Sequence, residues 1–407
     1  MEARDMSALY PVITLKQGRD SSVLQRHPWI FSGALKQVPK DLEQGDLVQV
    51  QSDQGELLGT GTYSAQTSIA VRVFEFGLAQ INADWLRQKI KAAHDRRLAQ
   101  GYGPGTQTTA YRVVFGEADG LPGLVLDRYA DVWVLQISTA GMERLKETVI
   151  LTVRHLFNPQ AIVERNDIAV RKAERLTEIL GMADGPETEQ VAFKEHGLHF
   201  EAPVWLGQKT GFFLDQKDLR QRIETLARDK TVLDAFAYTG AAGIYALRGG
   251  ASKVTFLDSS QTALTQVEKH VQLNFPQHSA NAPTLCQDAF EFFAKAPPQI
   301  FDMVLLDPPA FIKTQRDKES GQKAYHFINR CAMRLVKDGG LLVTSSCSHF
   351  LNPEDFAWIL RWASSQAKVY LTLLDTIHQS PDHPLSLYFP ESQYLKSYVF
   401  QVQQETR

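Results

Sequence analysis

The chain is short of cysteine, of long apolar stretches and of charge imbalance, and each shortage removes a class of protein. Three cysteines among 407 residues, Cys286, Cys331 and Cys347, are too few for a disulfide framework, and no CxxC or Cys/His spacing points to a structural zinc. No stretch reaches the ~18 to 20 consecutive apolar residues of a membrane span. The opening Met1-Glu2-Ala3-Arg4-Asp5 is too acidic for a signal peptide and has no apolar run behind it. A cytosolic chain is therefore expected, without membrane and without metal. Basic residues number 43 against 46 acidic ones, a formal net charge of −3, so any basic face has to be local. What is present, 43% hydrophobic and 22% charged residues, is an ordinary globular composition that excludes fibrous and disordered classes. At roughly 100 to 200 residues per domain, the length allows two or three domains.

Three textures follow one another. From Pro11 to about Phe76 the runs are short and β-like: Val12–Leu15, Gly45–Val50, Leu57–Tyr63 and Ile69–Phe74, with Asp53-Gln54-Gly55 as a turn. This predicts a small barrel. Its segment 16–40 carries Lys16, Arg19, Arg26, Lys36 and Lys40 against the single acid Asp20, either an RNA-facing patch or a solvated face. From Asn82, a candidate N-cap, to residue 100 the apolar spacing is helical, and after Gly101-Tyr102-Gly103-Pro104-Gly105 strands return at Tyr111–Phe115, Leu124–Leu126, Val132–Ile137 and Ala161–Glu164. An amphipathic helix is expected over Glu143–Phe157. From about Val204 strands and helices alternate, with strands at Thr231–Phe236, Lys253–Asp258, Thr284–Gln287, Phe301–Leu306, Gly340–Ser346, Val369–Leu374 and Ser397–Gln403. Such alternation with apolar strands predicts a doubly wound, largely parallel sheet. The boundaries expected are 1–76, 77–200 and 201–407.

In such sheets ligands bind beyond the carboxyl ends of the strands. The first strand runs through Asp234, Phe236, Tyr238 and Thr239 into Gly240, a turn that lets backbone approach a ligand or serves packing alone. Asp258 closes the second strand 24 positions after Asp234, near the spacing at which an acid meets ribose hydroxyls. There is no GxGxxG, which favours a single adenosine-bearing cofactor over a dinucleotide. Asp288 after the third strand reads as an acceptor for an adenine amino group or as a helix N-cap. The fourth strand ends in Asp307-Pro308-Pro309-Ala310-Phe311, where two prolines keep a helix from starting and hold the Asp307 carboxylate at the sheet edge. The fifth delivers Cys347 beside it, either an inert buried thiol or a thiolate placed to attack a ligand.

Asp234 with its glycine turn, Asp258, Asp288, Asp307-Pro308-Pro309 and the strand-five cysteine resemble, in this order, a class I S-adenosylmethionine-dependent methyltransferase. Lys209-Thr210-Gly211-Phe212-Phe213-Leu214-Asp215-Gln216, Ser346-Cys347-Ser348, Asp382-His383-Pro384, Phe389-Pro390-Glu391-Ser392 and Tyr394-Leu395-Lys396 are similar to the bacterial large-subunit rRNA cytosine-C5 methyltransferases that carry a PUA domain. Arg26-His27-Pro28-Trp29-Ile30-Phe31-Ser32-Gly33-Ala34 and Gly59-Thr60-Gly61-Thr62-Tyr63-Ser64 resemble that family's RNA-binding PUA module. The resemblance implies an α/β protein: a PUA-like β-barrel, an intermediate α+β domain and a C-terminal Rossmann-like methyltransferase domain. It implies S-adenosyl-L-methionine as cofactor and large-subunit rRNA or a pre-ribosomal particle as partner; one chain or a homodimer fits equally. Asp234, Phe236, Tyr238, Thr239 and Gly240, with Thr210, Phe213 and Asp215, would hold the methionine part; Asp258 and Ser259 the ribose; Asp288 the adenine. Asp307 would face the base beside the methyl donor and Cys347 would be the nucleophile. Lys16, Arg19, Arg26 and Lys36 would meet RNA, whereas Trp29 belongs either to the barrel core or to a base.

One departure stands out. Many RNA cytosine-C5 methyltransferases place a second cysteine after the last proline of the strand-four motif, and here that position is Ala310. The loss is expected in the PUA-bearing family and leaves the acceptor of the C5 proton unassigned, His349 being its neighbour only by adjacency. Related rRNA guanine methyltransferases share Asp-Pro-Pro without the strand-five cysteine, so Cys347 selects C5 chemistry. The rivals are methylation of another base or an amino group, which needs no thiol, and a cofactor-binding rRNA assembly factor.

Overall fold

The computed structural model describes residues 9–205 and 207–405; the acidic opening Met1 to Asp5 lies outside the described residues. Its contacts divide the chain into two compact units, one formed by residues 1–197, 202–214 and 381–392, the other by 198–201, 215–380 and 393–407.

The first unit contains two main sheets. One orders six strands as Trp29–Phe31, Ile69–Glu75, Leu57–Tyr63, Leu47–Gln51, Val12–Leu15 and Leu35–Gln37. Its two edge strands are joined by the single turn Ser32–Ala34, so the chain itself draws the ends of the sheet together around Ile13, Leu15, Ile30, Val48, Val50, Val71 and Val73. The two edge strands are three residues each, too short to show alternation, and were not expected from sequence. The second sheet orders Leu180–Asp184, Ala161–Arg165, Val132–Ile137, Leu124–Tyr129 and Ala110–Phe115. The helix Ala83–Ala99 packs on it, opened as predicted by Asn82, whose side chain accepts from Trp85 N. The helix expected over Glu143–Phe157 is two: Thr139 caps an earlier start at Ala140, and Leu145 interrupts before Lys146–Phe157.

Buried ion pairs lock this unit. Arg97 is bidentate to Asp119 at 2.7 Å on both arms, and Arg112 to Asp127 at 2.8 Å. Burial opposes the Asp119 charge, but Arg97, Arg96 and the Phe115 N–H together hold its carboxyl below the ordinary range.

The second unit is a seven-stranded sheet. We label its strands in chain order β1 (Thr231–Ala235), β2 (Lys253–Asp258), β3 (Thr284–Cys286), β4 (Phe301–Leu306), β5 (Val336–Ser346), β6 (Val369–Ile377) and β7 (Lys396–Gln404). The spatial order is β3-β2-β1-β4-β5-β7-β6, with β7 antiparallel to both neighbours and the other pairs parallel. Leu233, Ala235, Leu257, Val304, Leu306 and Leu342 face the helices Lys318–Leu335 and Pro353–Ala367 in one core. At the alternate position Phe256 turns to the opposite face and meets the helix Ala241–Arg248 at Gly240 and Gly243. Both faces are thus covered, which is why the strands read as continuous apolar runs. The topology reverses between β1 and β4, where such sheets open a crevice for a ligand. Among the described residues no helix is long and apolar enough to cross a membrane.

Candidate active site

Parallel pairing in register brings the predicted acids to one edge. Ala235 pairs with Leu257 and Leu306, and Leu306 with Thr344, so β2, β1 and β4 release Asp258, Phe236 and Asp307 side by side, and Cys347 leaves β5 at the same edge, three residues past Thr344. The exit of β1 is a strained turn: Phe236, Tyr238 and Gly240 all have positive φ, 61°, 49° and 76°. For two of the three this is a conformation side chains rarely adopt, and such strain persists where the surroundings impose it. His270 is one of the groups imposing it. It is buried, its Nδ1–H donates to Thr239 O at 2.8 Å and its Nε2 accepts from Glu201 N at 3.0 Å. Burial pushes its pKa down to about 4, so it stays neutral and keeps this donor–acceptor polarity. Asp258 supports the same turn, accepting from Tyr238 N at 2.9 Å through one oxygen and from Ser260 N at 2.9 Å through the other.

Asp234 is buried and accepts from Gly243 N at 2.8 Å. Desolvation pushes its pKa up to about 8; the Gly243 N–H pulls the other way, and the charges of Asp307 and Asp258 push up again. Three carboxylates thus crowd the mouth of the crevice, an arrangement that a cationic ligand relieves. S-adenosylmethionine, with its sulfonium and α-ammonium groups, fits that donor set. A methyl at position 243 would lie 2.2 Å from Phe256 and 2.9 Å from the Asp234 carboxylate, so only glycine permits this approach.

Asp307 accepts from Gln216 Nε2 at 2.8 Å. Asp215 is buried, its carboxylate taking the Tyr394 hydroxyl and its carbonyl taking Ser380 N and Oγ. Asp288 is the N-cap of Ala289–Lys295, accepting from Glu291 N at 3.0 Å, and Ser259 is exposed with its carbonyl facing Cys286 Sγ at 3.5 Å. Thr210 and Phe213 fall in the first unit. There the Thr210 hydroxyl donates to Asp127 at 2.6 Å and lies 3.0 Å from Tyr129 OH, and Lys209 sits over the Phe213 ring at 4.5 Å.

Cys347 leaves β5 half-buried. Around it runs a polar network that sequence reasoning did not find. Tyr325, on the helix Lys318–Leu335, bridges Ser346 Oγ at 3.0 Å and Ser348 Oγ at 2.9 Å. Ile312 N, just past the Asp-Pro-Pro loop, donates to the same Ser348 Oγ at 3.2 Å, and Phe311 meets Tyr325 edge-on at 4.9 Å. The strand-four loop that carries Asp307 is therefore pinned to the strand-five turn that carries Cys347. Burial first, with Cys347 contributing, pushes the Tyr325 phenol up to about 12, so it stays neutral. From β7, Lys396 reaches Ser348 O at 2.8 Å and Leu351 O at 2.7 Å. His349 is exposed beside Phe350.

In the first unit Lys16, Arg19, Arg26 and Lys36 are all exposed. Lys16 donates to Gly33 O at 2.9 Å, Lys36 pairs with Asp53, and Arg26, at φ 63°, lies over the Tyr388 ring at 5.7 Å. Trp29 is half-buried, its indole N–H donating to Glu117 at 2.8 Å and its ring meeting Phe389 edge-on at 4.8 Å.

Comparison with known proteins agrees with this architecture. Residues 13–76 match the PUA-like domain family and residues 166–385 the S-adenosylmethionine-dependent methyltransferase family. The chain is 37% identical over 393 residues to the ribosomal RNA large subunit methyltransferase I of Aeromonas salmonicida, covering 95% of this chain and 98% of that protein. It is 35% identical over 396 residues to the protein of the same name from Vibrio cholerae, covering 96% and 99%. In fold it matches a solved chain from Streptococcus mutans assigned to the SAM-dependent methyltransferases, with a TM-score of 0.81 at 22% identity over 96% of this chain and 100% of that one. The acid-lined crevice, the PUA-like barrel and full-length identity converge: the chain belongs to the ribosomal RNA large subunit methyltransferase I family of S-adenosylmethionine-dependent methyltransferases.

Proposed function

We propose that this chain forms 5-methylcytosine in large-subunit ribosomal RNA, with Cys347 as the nucleophile and Asp307 beside the target base. The observation that carries the reading is the pinning of the Asp307 loop to the Cys347 turn through Ser348, which fixes an acid and a thiol on adjacent strands. The names of the full-length relatives supply the substrate class. When bound, S-adenosylmethionine supplies an electrophilic methyl group. Asp234 and the Phe236–Gly240 turn would hold its methionine part, with Thr210, Phe213 and Asp215; Asp258 and Ser259 would take the ribose and Asp288 the adenine.

C5 of cytosine is too weak a nucleophile to accept a methyl group unaided. Attack of the Cys347 thiolate on C6 forms the S–C6 bond, and the displaced π electrons leave C5 enamine-like while an acid, here Asp307, protonates or hydrogen-bonds N3. After C5 has taken the methyl group, a base that the sequence leaves unassigned takes the C5 proton. The electron pair restores the C5–C6 double bond, the C6–S bond breaks to release the thiolate, and N3 gives its proton back to Asp307. A stacked cytosine cannot present C6 to a thiol, so the RNA is single-stranded there or the base is extruded. We assign residues 1–76 with Lys16, Arg19, Arg26 and Lys36 to RNA contact, 77–200 to an intermediate domain and 201–407 to methyl transfer, acting in the cytoplasm on rRNA or a pre-ribosomal particle.

The test is methyl transfer from labelled S-adenosylmethionine to rRNA lacking this modification, followed by nucleoside mass spectrometry, for wild type and Cys347→Ala. A 5-methylcytidine product that disappears in the variant is expected. A different methylated nucleoside, or a fully active variant, overturns the chemistry.

A further inference from the structure

Lys396 is buried to 4% exposure, yet its ammonium has no carboxylate partner among the described residues. Two of its three N–H donors go to the carbonyls of Ser348 and Leu351. Placing an ammonium in a low-dielectric site costs several kcal/mol unless an anion or full hydrogen bonding compensates. Two neutral carbonyls compensate only in part. A methionine of similar volume would fill the same space without that cost, so the charge itself calls for an explanation.

Its placement supplies one. Lys396 opens β7 and pairs in register with Ser346, the residue before Cys347, while its ammonium grips the carbonyl of Ser348, the residue after it. The lysine thus engages the residues on both flanks of Cys347. We infer that Lys396 is the positioning residue that holds Cys347 as a thiolate, its ammonium charge favouring the anion. This deepens, and rests on, the reading of Cys347 as the nucleophile. The electrostatics agree in both directions. Burial pulls the Lys396 pKa down to about 8, and Cys347 pushes it back up, the behaviour of a cation facing a nascent anion. With a pKa about 8 the side chain is still mostly charged at neutral pH.

Three neighbouring groups among the described residues do not take this part. Tyr325, facing it from the helix Lys318–Leu335, is a neutral phenol. Asp307, at the exit of the neighbouring strand β4, is an acid whose charge opposes a thiolate. His349, in the same loop as Cys347, is exposed and meets Phe350.

The experiment is site-resolved alkylation of the intact protein with iodoacetamide from pH 5.5 to 10. Peptide mass spectrometry separates Cys347 from Cys286 and Cys331. In wild type the Cys347 midpoint is expected below the ~8.5 of a free thiol. Lys396→Met is expected to raise it by roughly 1 to 3 pH units, the range for loss of an adjacent opposite charge. Lys396→Arg, which keeps the charge, should retain most of the depression. The kcat profile should move with the alkylation midpoint while the KM for S-adenosylmethionine stays constant, a split that a purely structural lysine would not produce. A wild-type midpoint at or above 8.5, or equal midpoints in wild type and Lys396→Met, overturns the inference. If Lys396→Met does not fold, the wild-type midpoint decides alone. Failure here is separable from failure of the underlying reading: an inactive Cys347→Ala with an unshifted titration sinks only the lysine's role, whereas an active Cys347→Ala sinks the nucleophile.

Discussion

Binding of S-adenosylmethionine should expel a proton, and Asp234 should be its source. The carboxyl is buried, and desolvation with the nearby Asp307 and Asp258 charges sets its pKa at about 8 against the one favourable N–H from Gly243. At pH 7 a group with that pKa is about nine-tenths protonated. A ligand cation placed against the carboxylate favours its ionised form and lowers the pKa by about 1 to 3 units, to roughly 5 to 7. About 0.4 to 0.9 proton is therefore released per cofactor bound at pH 7. The direction follows from linkage: where the free protein binds the extra proton, lowering the pH opposes binding, so apparent affinity falls by up to about tenfold, about 1.4 kcal/mol, per pH unit from 7 down to the bound-state pKa. The window from pH 6 to 7 is the useful one, because the ligand's own α-amine, near 7.7 to 8.0 as a reference group, is already mostly charged there. The assay is titration calorimetry in phosphate and in Tris at the same pH. The difference in apparent enthalpy, divided by the difference in buffer ionisation enthalpy, counts the protons. Asp234→Asn binds more weakly and releases none. Equal enthalpies in the two buffers for wild type, or the same proton count in the variant, would refute the assignment of Asp234 to the cationic part of the cofactor.

Three further outcomes follow from the packing. Gly243→Ala places a methyl 2.2 Å from Phe256 Cε1 and 2.9 Å from the Asp234 carboxylate, so it should abolish calorimetric cofactor binding and cost about 1 to 3 kcal/mol in thermal unfolding; unchanged affinity would show that the crevice tolerates what the geometry forbids. Tyr325→Phe removes the hydroxyl that joins Ser346 to Ser348 and should cost about 1 to 2 kcal/mol, with kcat reduced and cofactor affinity intact; a wild-type kcat would mean that the network does not position the thiol. Arg97→Ala leaves the buried Asp119 carboxylate with Arg96 and the Phe115 N–H as its remaining partners and should cost up to about 3 to 5 kcal/mol in denaturant unfolding of the first unit, and a loss under about 1 kcal/mol would contradict the burial argument.

The sheet and the acids along its edge were legible because parallel strands buried on both faces are read as apolar runs and because the residue after each run is a short segment with its own chemistry. Lys253–Asp258 and Phe301–Leu306 have the predicted bounds, as do Val12–Leu15, Leu57–Tyr63 and Val132–Ile137. Some missed elements were short or broken: Trp29–Phe31 and Leu35–Gln37 offer no period to count, and the break at Leu145 leaves the helical spacing on either side intact; the five-residue strand Leu180–Asp184 was missed as well. The supporting residues of the site escaped for a different reason. Lys396 lies 48 positions from Ser348, Tyr325 lies 23 from it, and His270 lies 31 from Thr239. Only tertiary pairing joins them. A lone histidine at helical spacing reads as core, and Tyr394-Leu395-Lys396 carried a resemblance without a role.

The edge of the sheet carries two opposite electrostatic environments on neighbouring strands. Around β1, β2 and the start of the β4 loop stand Asp234, Asp258 and Asp307, whose mutual repulsion is relieved by a cation. Around β5 and β7 stand neutral hydroxyls and the Lys396 ammonium, whose burial is relieved by an anion. The proposed methyl transfer from a sulfonium to a thiolate-activated ring would need a positive donor and a negatively charged activator close together, without either cancelling the other beforehand. A single site of one polarity would serve only one partner. The division has a mechanical counterpart in the Ile312–Ser348 hydrogen bond, which ties the end of the acidic loop to the thiol-bearing turn, so that the two environments keep a fixed separation. Charge changes on the two sides should therefore give separable signatures. Neutralising Asp234 should alter cofactor affinity and proton release and leave the Cys347 titration in place, whereas neutralising Lys396 should shift that titration and kcat and leave cofactor affinity unchanged. A change of both readouts by either substitution would show one continuous field instead of two, and the strand boundary between β4 and β5 would lose its meaning as the line between donor and acceptor.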